Sequence, residues 1–438
     1  MKIGWMQLWM TIFVSVLLGM KSYQDLWRNV CSQFLCGFAP KAISDDALVK
    51  RLQQAGTQPL ERLLGLVGAQ LSAQLAATPG ALPKELAPFA TRIVDLDEST
   101  PDAIERHLPA LRAIPEGSPR LLPGKLAARF DVRTQQWDWV QFRCDAQANC
   151  KADICSVLWD LPVGSLLTFD LGSFSFPWFD YLTELHYWFV TRLREKTCYR
   201  LEHVFYRHEG ILDALVWLGS PHGARAGRLV RLVRFYDGTQ LRSYLTNVLD
   251  PRQLSLPDIA RLYARRWDSE LAFLTLKEHL QLHHWWSAHR VLMRQQVLIA
   301  LILAQLLQAL RLQMAAEANC DPFEISLPLL VQYVPRFILK GQSLREWLQT
   351  PGRDLRLIRP ASRVQLIVPQ MALAQLLFPP PDLKQTRKAR YLEYVHRPGS
   401  PSATKTRPKD TTKEQNAAPV KKRPKATTKE QPLVVAKT

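Results

Sequence analysis

Between positions 258 and 280 the chain reads DIARLYARRWDSELAFLTLKEHL, and four polar residues there, Tyr263, Arg266, Glu270 and Lys277, follow one another at intervals of three, four and seven. At about 100° per residue these intervals place all four within an arc of roughly 60° on one helix. Ile259, Leu262, Trp267, Leu271, Phe273, Leu274 and Leu276 make most other positions apolar. Much of the helix should therefore pack inside the protein, where a Glu is desolvated unless a positive group meets it. Two partners are available. Arg266 can pair with Glu270 at i,i+4, a common surface device worth about 0.2–0.5 kcal/mol. Alternatively Glu270 ligates a divalent cation while Tyr263, Arg266 and Lys277 hold phosphates around it, and the helix alone leaves both readings open.

Two aspartates elsewhere bear on the choice. Asp97 closes the β-like run RIVDLD before Glu98-Ser99-Thr100, and Asp170 closes SLLTFD before Leu171-Gly172-Ser173. An Asp at the carboxyl end of a strand, followed at once by a turn, stands where α/β folds present ligands. Turn capping would explain either one taken singly. Together with Glu270 they make three oxygen donors, a sound set for Mg²⁺, which prefers carboxylates and keeps positions open for water and phosphate.

The partner such a site would serve is suggested by charge. The 438 residues carry a net +18, and 47% are apolar, enough for one large domain or two to three ordinary ones and too much for a disordered scaffold. From Lys384 onward 15 Lys and Arg face 4 Asp and Glu, a net +11, which leaves +7 on residues 1–383. Both parts suit a polyanion, nucleic acid or anionic membrane. Seven cysteines, an odd count without C-x2-C spacing, point to a reducing compartment rather than to zinc or a disulfide framework.

The elements that must position these residues can be read in order. Residues 1–90 form a helical region suited to DNA binding or dimerisation. Its uncharged stretch Ile3–Met20 is broken by Gln7, Thr11 and Ser15, so a buried or dimer-forming helix is expected ahead of a membrane span or a signal peptide. From Arg92 short β-like runs alternate with helical segments, an α/β texture, and residues 198–249 alternate as an antiparallel sheet. Ser255-Leu256-Pro257-Asp258 caps a helix expected to continue to about His279. QQVLIALILAQLLQALRLQ, bracketed by Arg294 and Arg311, reads as a central core helix. A helical extension is expected over 321–380. Residues 381–438 read as a disordered basic tail carrying an imperfect repeat, KTRPKDTTKEQ and KKRPKATTKEQ.

With Tyr263, Arg266, Glu270 and Lys277 in place, the chain resembles the DDE transposases of bacterial insertion sequences, in the branch with a Y-x2-R-x3-E-x6-K signature. LPGKLAARFD, GSLLTFDLGSF, FVTRLREKT, YLTNVLDP and IARLYARRWDSELAF resemble that family's recurring segments in the same order, over roughly residues 90–320. The resemblance implies a ribonuclease-H-like α/β catalytic core over 91–320, with a β-rich insertion at about 198–249. It implies Asp97, Asp170 and Glu270 as catalytic metal ligands, with Asp95, two positions earlier on the same strand face, as the rival for the first. It also implies DNA contacts by Tyr263, Arg266, Lys277 and Arg192. Where the family pattern is Asp-x-Gly-aromatic, this chain inserts Ser173 before Phe174.

The chemistry so implied is cleavage of a phosphodiester at a transposon end and attack of the freed 3′-hydroxyl on target DNA. It would use two Mg²⁺ ions, for which Mn²⁺ can substitute, and no small-molecule cofactor. The partners implied are double-stranded DNA, both ends and target, and further copies of the chain in a homodimer or higher synaptic complex. A cytoplasmic, nucleoid-associated location follows, with no membrane partner. Two rivals stand beside this reading: an inactive or domesticated DNA-binding relic, and a basic protein anchored to membrane by Ile3–Met20.

Overall fold

The computed structural model describes residues 3–34, 37–100, 124–143, 154–287, 289–340, 354, 356–361, 363 and 366–391. Of the seven cysteines, Cys36, Cys144 and Cys150 lie outside these residues, as do the repeats of the basic tail. The described residues all belong to one compact unit.

Four helices open the chain: α1 (Trp5–Leu17), α2 (Tyr23–Ser32), α3 (Asp45–Ala55) and α4 (Gln58–Leu75). Ser22 and Ser44 cap α2 and α3 by accepting from Asp25 N–H and Ala47 N–H. The apolar face of α1, with Leu8, Ile12 and Val16, joins the main core. Its interrupting polar residues are satisfied locally: Gln7 donates to Ala39 O, Thr11 to Gln7 O and Ser15 to Thr11 O.

Nine strands form one sheet: β1 (Ile93–Ser99), β2 (Lys125–Asp131), β3 (Gln136–Arg143), β4 (Leu166–Phe169), β5 (Trp188–Arg192), β6 (Tyr199–His208), β7 (Ile211–Leu218), β8 (Val230–Tyr236) and β9 (Leu241–Thr246). Their order is β3-β2-β1-β4-β5-β9-β8-β7-β6. β1, β4 and β5 run parallel, and every other pairing is antiparallel. The strand-rich stretch after Thr197 thus continues the sheet through β9 instead of building a separate one. Val94, Leu96, Leu167, Phe169 and Phe189 face helix α5 (Phe176–Glu184) in one core. Alternation sends Ile93, Leu166 and Val190 to the other face, against α6 (Leu256–Ala264).

Three further helices follow among the described residues: α7 (Arg266–Leu274), α8 (Arg290–Ala318) and α9 (Leu327–Lys340). Among the described residues α8 is the one helix long and apolar enough to cross a membrane, and 78% of its apolar window is buried in the fold. Its buried amides stitch it to its neighbours: Gln295 donates to Leu52 O and Gly56 O, Gln296 to His284 O and Gln305 to Trp137 O. That bonding is what a core helix needs and a lipid-facing one could not find.

Three boundaries differ from the sequence reading. The helix expected from Ser255 to about His279 divides at Arg265, where Arg265 N–H bonds Leu262 O and Asp268 N–H bonds Arg265 O, the tighter three-residue pattern. It then ends in a π-turn over Thr275–His279. The helical extension expected over 321–380 is helical through α9, whereas residues 366–391 run largely extended over the insertion. There Leu377 N–H bonds Phe205 O, Arg387 N–H bonds Gly227 O, and Tyr391 Oη donates to Asp180. The tail expected from 381 is therefore packed as far as Tyr391, because its backbone finds partners in the insertion.

Candidate active site

β1 and β4 are parallel neighbours, in register from Ile93 opposite Leu166 to Leu96 opposite Phe169. One step beyond the last pair stand Asp97 and Asp170, at the carboxyl edge of the sheet. They line a cleft of about 190 Å³ together with Leu96, Ser173, Lys125 and Arg143. Glu98 pairs with both cations, at 2.9 Å to Lys125 and 3.2 Å to Arg143.

Asp170 caps the short turn Leu171–Ser173, its Oδ1 accepting from Gly172 N–H at 2.8 Å. A Cβ at position 172 would stand 2.9 Å from that oxygen, so glycine is what lets the turn close on the carboxylate. Ser173 does not displace the aromatic residue after it. Phe174 is buried, edge-on to Phe179 at 4.9 Å, and the Arg194 guanidinium lies 4.8 Å over its ring.

The third acid arrives on α7, which packs on β1, with Phe273 against Trp137 at a ring separation of 4.6 Å. Glu270 is paired with Arg266 on the same helix, their side chains 34% and 13% exposed. The i,i+4 pair foreseen as the plain alternative thus forms, and it forms beside the two aspartates. Burial, with the negative charges of Asp170 and Glu270 against it, pushes the Asp97 carboxyl up to about 6 despite the opposing Arg266. Burial works against the Arg266 charge, yet Asp95, Tyr263 and Glu270 outweigh it and hold the guanidinium above its ordinary range. Burial likewise raises the Tyr263 hydroxyl, which stays a neutral donor, while Arg192 and Arg266 pull the other way.

Asp97, Asp170, Glu270, Tyr263, Arg266 and Arg192 thus come together. Arg192 is exposed at the end of β5, opposite Tyr244 on β9, whose buried ring meets Tyr263 at 5.0 Å. Lys277 is half-buried in the π-turn, and among the described residues no hydrogen bond or ion pair joins its side chain to the others. The single 60° stripe is not realised, because the break at Arg265 and the wider π-turn both change the angular advance per residue. Asp95, the rival first acid, is fully buried and bonded to Thr168 and Ser269.

Three carboxylates offer an all-oxygen donor set whose chemistry suits a hard divalent cation, and the raised Asp97 carboxyl marks chiefly its burial, with Asp170 and Glu270 adding to it. Among the described residues no three His, Cys, Asp or Glu side chains are placed close enough together to hold a metal ion as they stand, Glu270 being turned to Arg266. Ser269 and Thr168 were not singled out by sequence. A small hydroxyl residue facing inward on an otherwise apolar helix was the available signal for Ser269, and an ordinary strand Thr gives none.

No curated protein sequence matches the chain. Among solved structures, the cryo-EM structure of a piggyBac transposase synaptic complex with hairpin DNA is similar at a TM-score of 0.38 and 12% identity, over 84% of this chain and 77% of that one. At the level of sequence families, residues 125–307, which hold Asp170, Arg192, Tyr263, Arg266, Glu270 and Lys277 but begin after Asp97, match the family described as the transposase DDE domain.

Proposed function

We propose that the chain is a DNA transposase of the DDE type, in the insertion-sequence branch with the Y-x2-R-x3-E-x6-K signature, and that its sheet and helices form a ribonuclease-H-like core. The observation that carries this is the meeting of Asp97, near the end of β1, and Asp170, just past the end of the parallel neighbour β4, with Glu270 on the helix packed on β1. The family match over 125–307 supports the same reading from sequence.

Asp97, Asp170 and Glu270 would hold two Mg²⁺ ions, or Mn²⁺ in their place. When bound, the metals supply charge stabilisation of the entering and leaving oxygens and lower the cost of deprotonating water or a 3′-hydroxyl. The chain's own residues do the rest. Glu270, released from Arg266, would help hold the cation, and the freed guanidinium would grip a phosphate beside the cleavage point. Tyr263, kept neutral by burial, donates a hydrogen bond, and Arg192 and Lys277 add positive charge along the strand. These contacts hold the scissile phosphate in line and need no covalent enzyme intermediate. The partners are transposon-end and target duplexes, with a homodimer or larger synaptic complex, in the cytoplasm at the nucleoid. Residues 392–438 and their basic repeats would add salt-sensitive attraction to DNA.

Cleavage of DNA carrying the element's ends, with Mg²⁺, is the test. Asp170→Ala and Glu270→Ala should abolish cutting while DNA binding survives. An unsubstituted chain that binds ends but never cuts them would be a DNA-binding relic.

A further inference from the structure

Beneath the three acids lies a second layer of polar side chains, one from each acid-bearing element. Asp95 stands two residues before Asp97 on β1, Thr168 two before Asp170 on β4, and Ser269 immediately before Glu270 on α7. Asp95 and Thr168 are direct register partners across β1 and β4. All three are fully buried, where a polar side chain is retained only with its partners satisfied. Thr168 Oγ1 donates to Asp95 Oδ1 at 2.8 Å, and Ser269 Oγ meets Asp95 Oδ2 in a short contact. The same Ser269 hydroxyl lies 3.3 Å from Asp97 Oδ2 and 2.8 Å from Arg266 O. One carboxylate therefore ties both parallel strands to the helix, and one hydroxyl reaches from it to the first proposed ligand.

We infer that Asp95, Thr168 and Ser269 are positioning residues that set the spacing of Asp97, Asp170 and Glu270 for the cation, and that Asp95 is not itself a ligand. Both Asp95 oxygens are engaged inside the protein, while Asp97 lines the cleft. The contacts join residues 73 and 174 positions apart in sequence, so they fix how three separate elements meet rather than any local turn. Outer-shell groups of this kind typically change metal affinity or activity by about 10–100-fold when removed. The inference rests on the proposed function, since positioning presupposes that the three acids bind metal.

The test uses the full chain with Mn²⁺ alone as the probe, its binding followed by electron paramagnetic resonance, beside the Mg²⁺ concentration that half-activates DNA cleavage. Ser269→Ala and Thr168→Val should each weaken Mn²⁺ binding by about tenfold and raise half-activating Mg²⁺ in parallel, with DNA affinity unchanged. Ser269→Thr, which keeps the hydroxyl, should restore much of both. Asp97→Ala should abolish Mn²⁺ binding, and Asp95→Asn, which keeps a carbonyl acceptor for Thr168, should only weaken it. Thermal melting identifies any variant that fails to fold, and Thr168→Val then carries the test from the sheet side. Mn²⁺ affinity left intact by folded Ser269→Ala and Thr168→Val would overturn the positioning role alone. Loss of binding in Asp95→Asn as complete as in Asp97→Ala would make Asp95 a ligand and also overturn it. Failure of the unsubstituted chain to bind Mn²⁺ would overturn the functional reading and the inference together.

Discussion

Across β7 and β8, Asp213 and Arg231 meet in a two-pronged ion pair at 2.6 and 2.7 Å, both side chains at 0% exposure, and Arg231 also donates to Leu254 O. At the carboxyl ends of β1 and β4, by contrast, Asp95, Asp97, Asp170 and Glu270 crowd together, and Arg266 is the cation paired with Glu270. The insertion buries opposite charges that answer each other. The acid cluster buries Asp95 and Asp97 beside further acids, and burial first, with like charge adding to it, raises those two carboxyls. A buried matched pair is a structural solution, and a like-charged cluster is tolerated where a ligand supplies the missing charge.

Substitutions should separate the two regions. The largest effect is expected in the cluster: Asp170→Ala or Glu270→Ala should slow DNA cleavage by about 10³-fold or more, some 4 kcal/mol of barrier, with the urea midpoint unchanged or raised. A comparable loss of stability would erase the contrast. In the insertion the signs reverse. Asp213→Ala leaves a buried guanidinium uncompensated and should cost about 3–5 kcal/mol in urea unfolding, and Asp213→Leu with Arg231→Met should recover most of it.

Acidity gives a smaller, directional test. Asp97 holds its proton up to about 6 in the folded chain, against an ordinary 3.8. Between those values the folded state binds more protons than the unfolded one. The contribution of Asp97 is therefore fully present below about 4 and lost as pH rises through about 6, with a slope of at most about 1.4 kcal/mol per pH unit. Burial raises Asp95 too, and it acts in the same direction. Urea melts between pH 4 and 7 without divalent ions should show the slope, Asp97→Asn should flatten part of it, and Mg²⁺ should offset it above pH 6. A flat profile would mean that burial beside Asp170 and Glu270 does not raise the Asp97 carboxyl. Smallest of all, Arg294→Ala, which removes an exposed pair with Glu61 between α8 and α4, should change stability by about 0.2–1 kcal/mol.

How far the sequence reached can be seen in particular residues. The Ser255 cap, the α8 core helix and the antiparallel alternation after Thr197 were legible, since each depends on contacts within a few residues or on a repeating pattern of burial. Asp170 was legible as a strand-end acid because an apolar run followed by a polar turn is a local signal, whereas β1 runs on past Asp97 to Ser99, since Glu98 and Ser99 still pair with Ala127 and Leu126 of β2. The break at Arg265 was not. Asp268 is buried there against Arg363, 95 residues downstream, and no local propensity records that pairing. The extended path of residues 366–391 was hidden for the same reason, as its hydrogen bonds go to Phe205, Gly227 and Arg225.

Which side chains exist, and which sit at strand ends, caps or apolar helix faces, was determined by sequence alone, because covalent order and side-chain periodicity act over a few residues. Which of Asp95 and Asp97 faces the cleft, and which hydroxyls hold the buried one, was decided only when β1, β4 and α7 packed together. The physical reason is that accessibility and hydrogen-bond partnership are properties of neighbours in space, and here those neighbours lie as far as 174 residues apart along the chain.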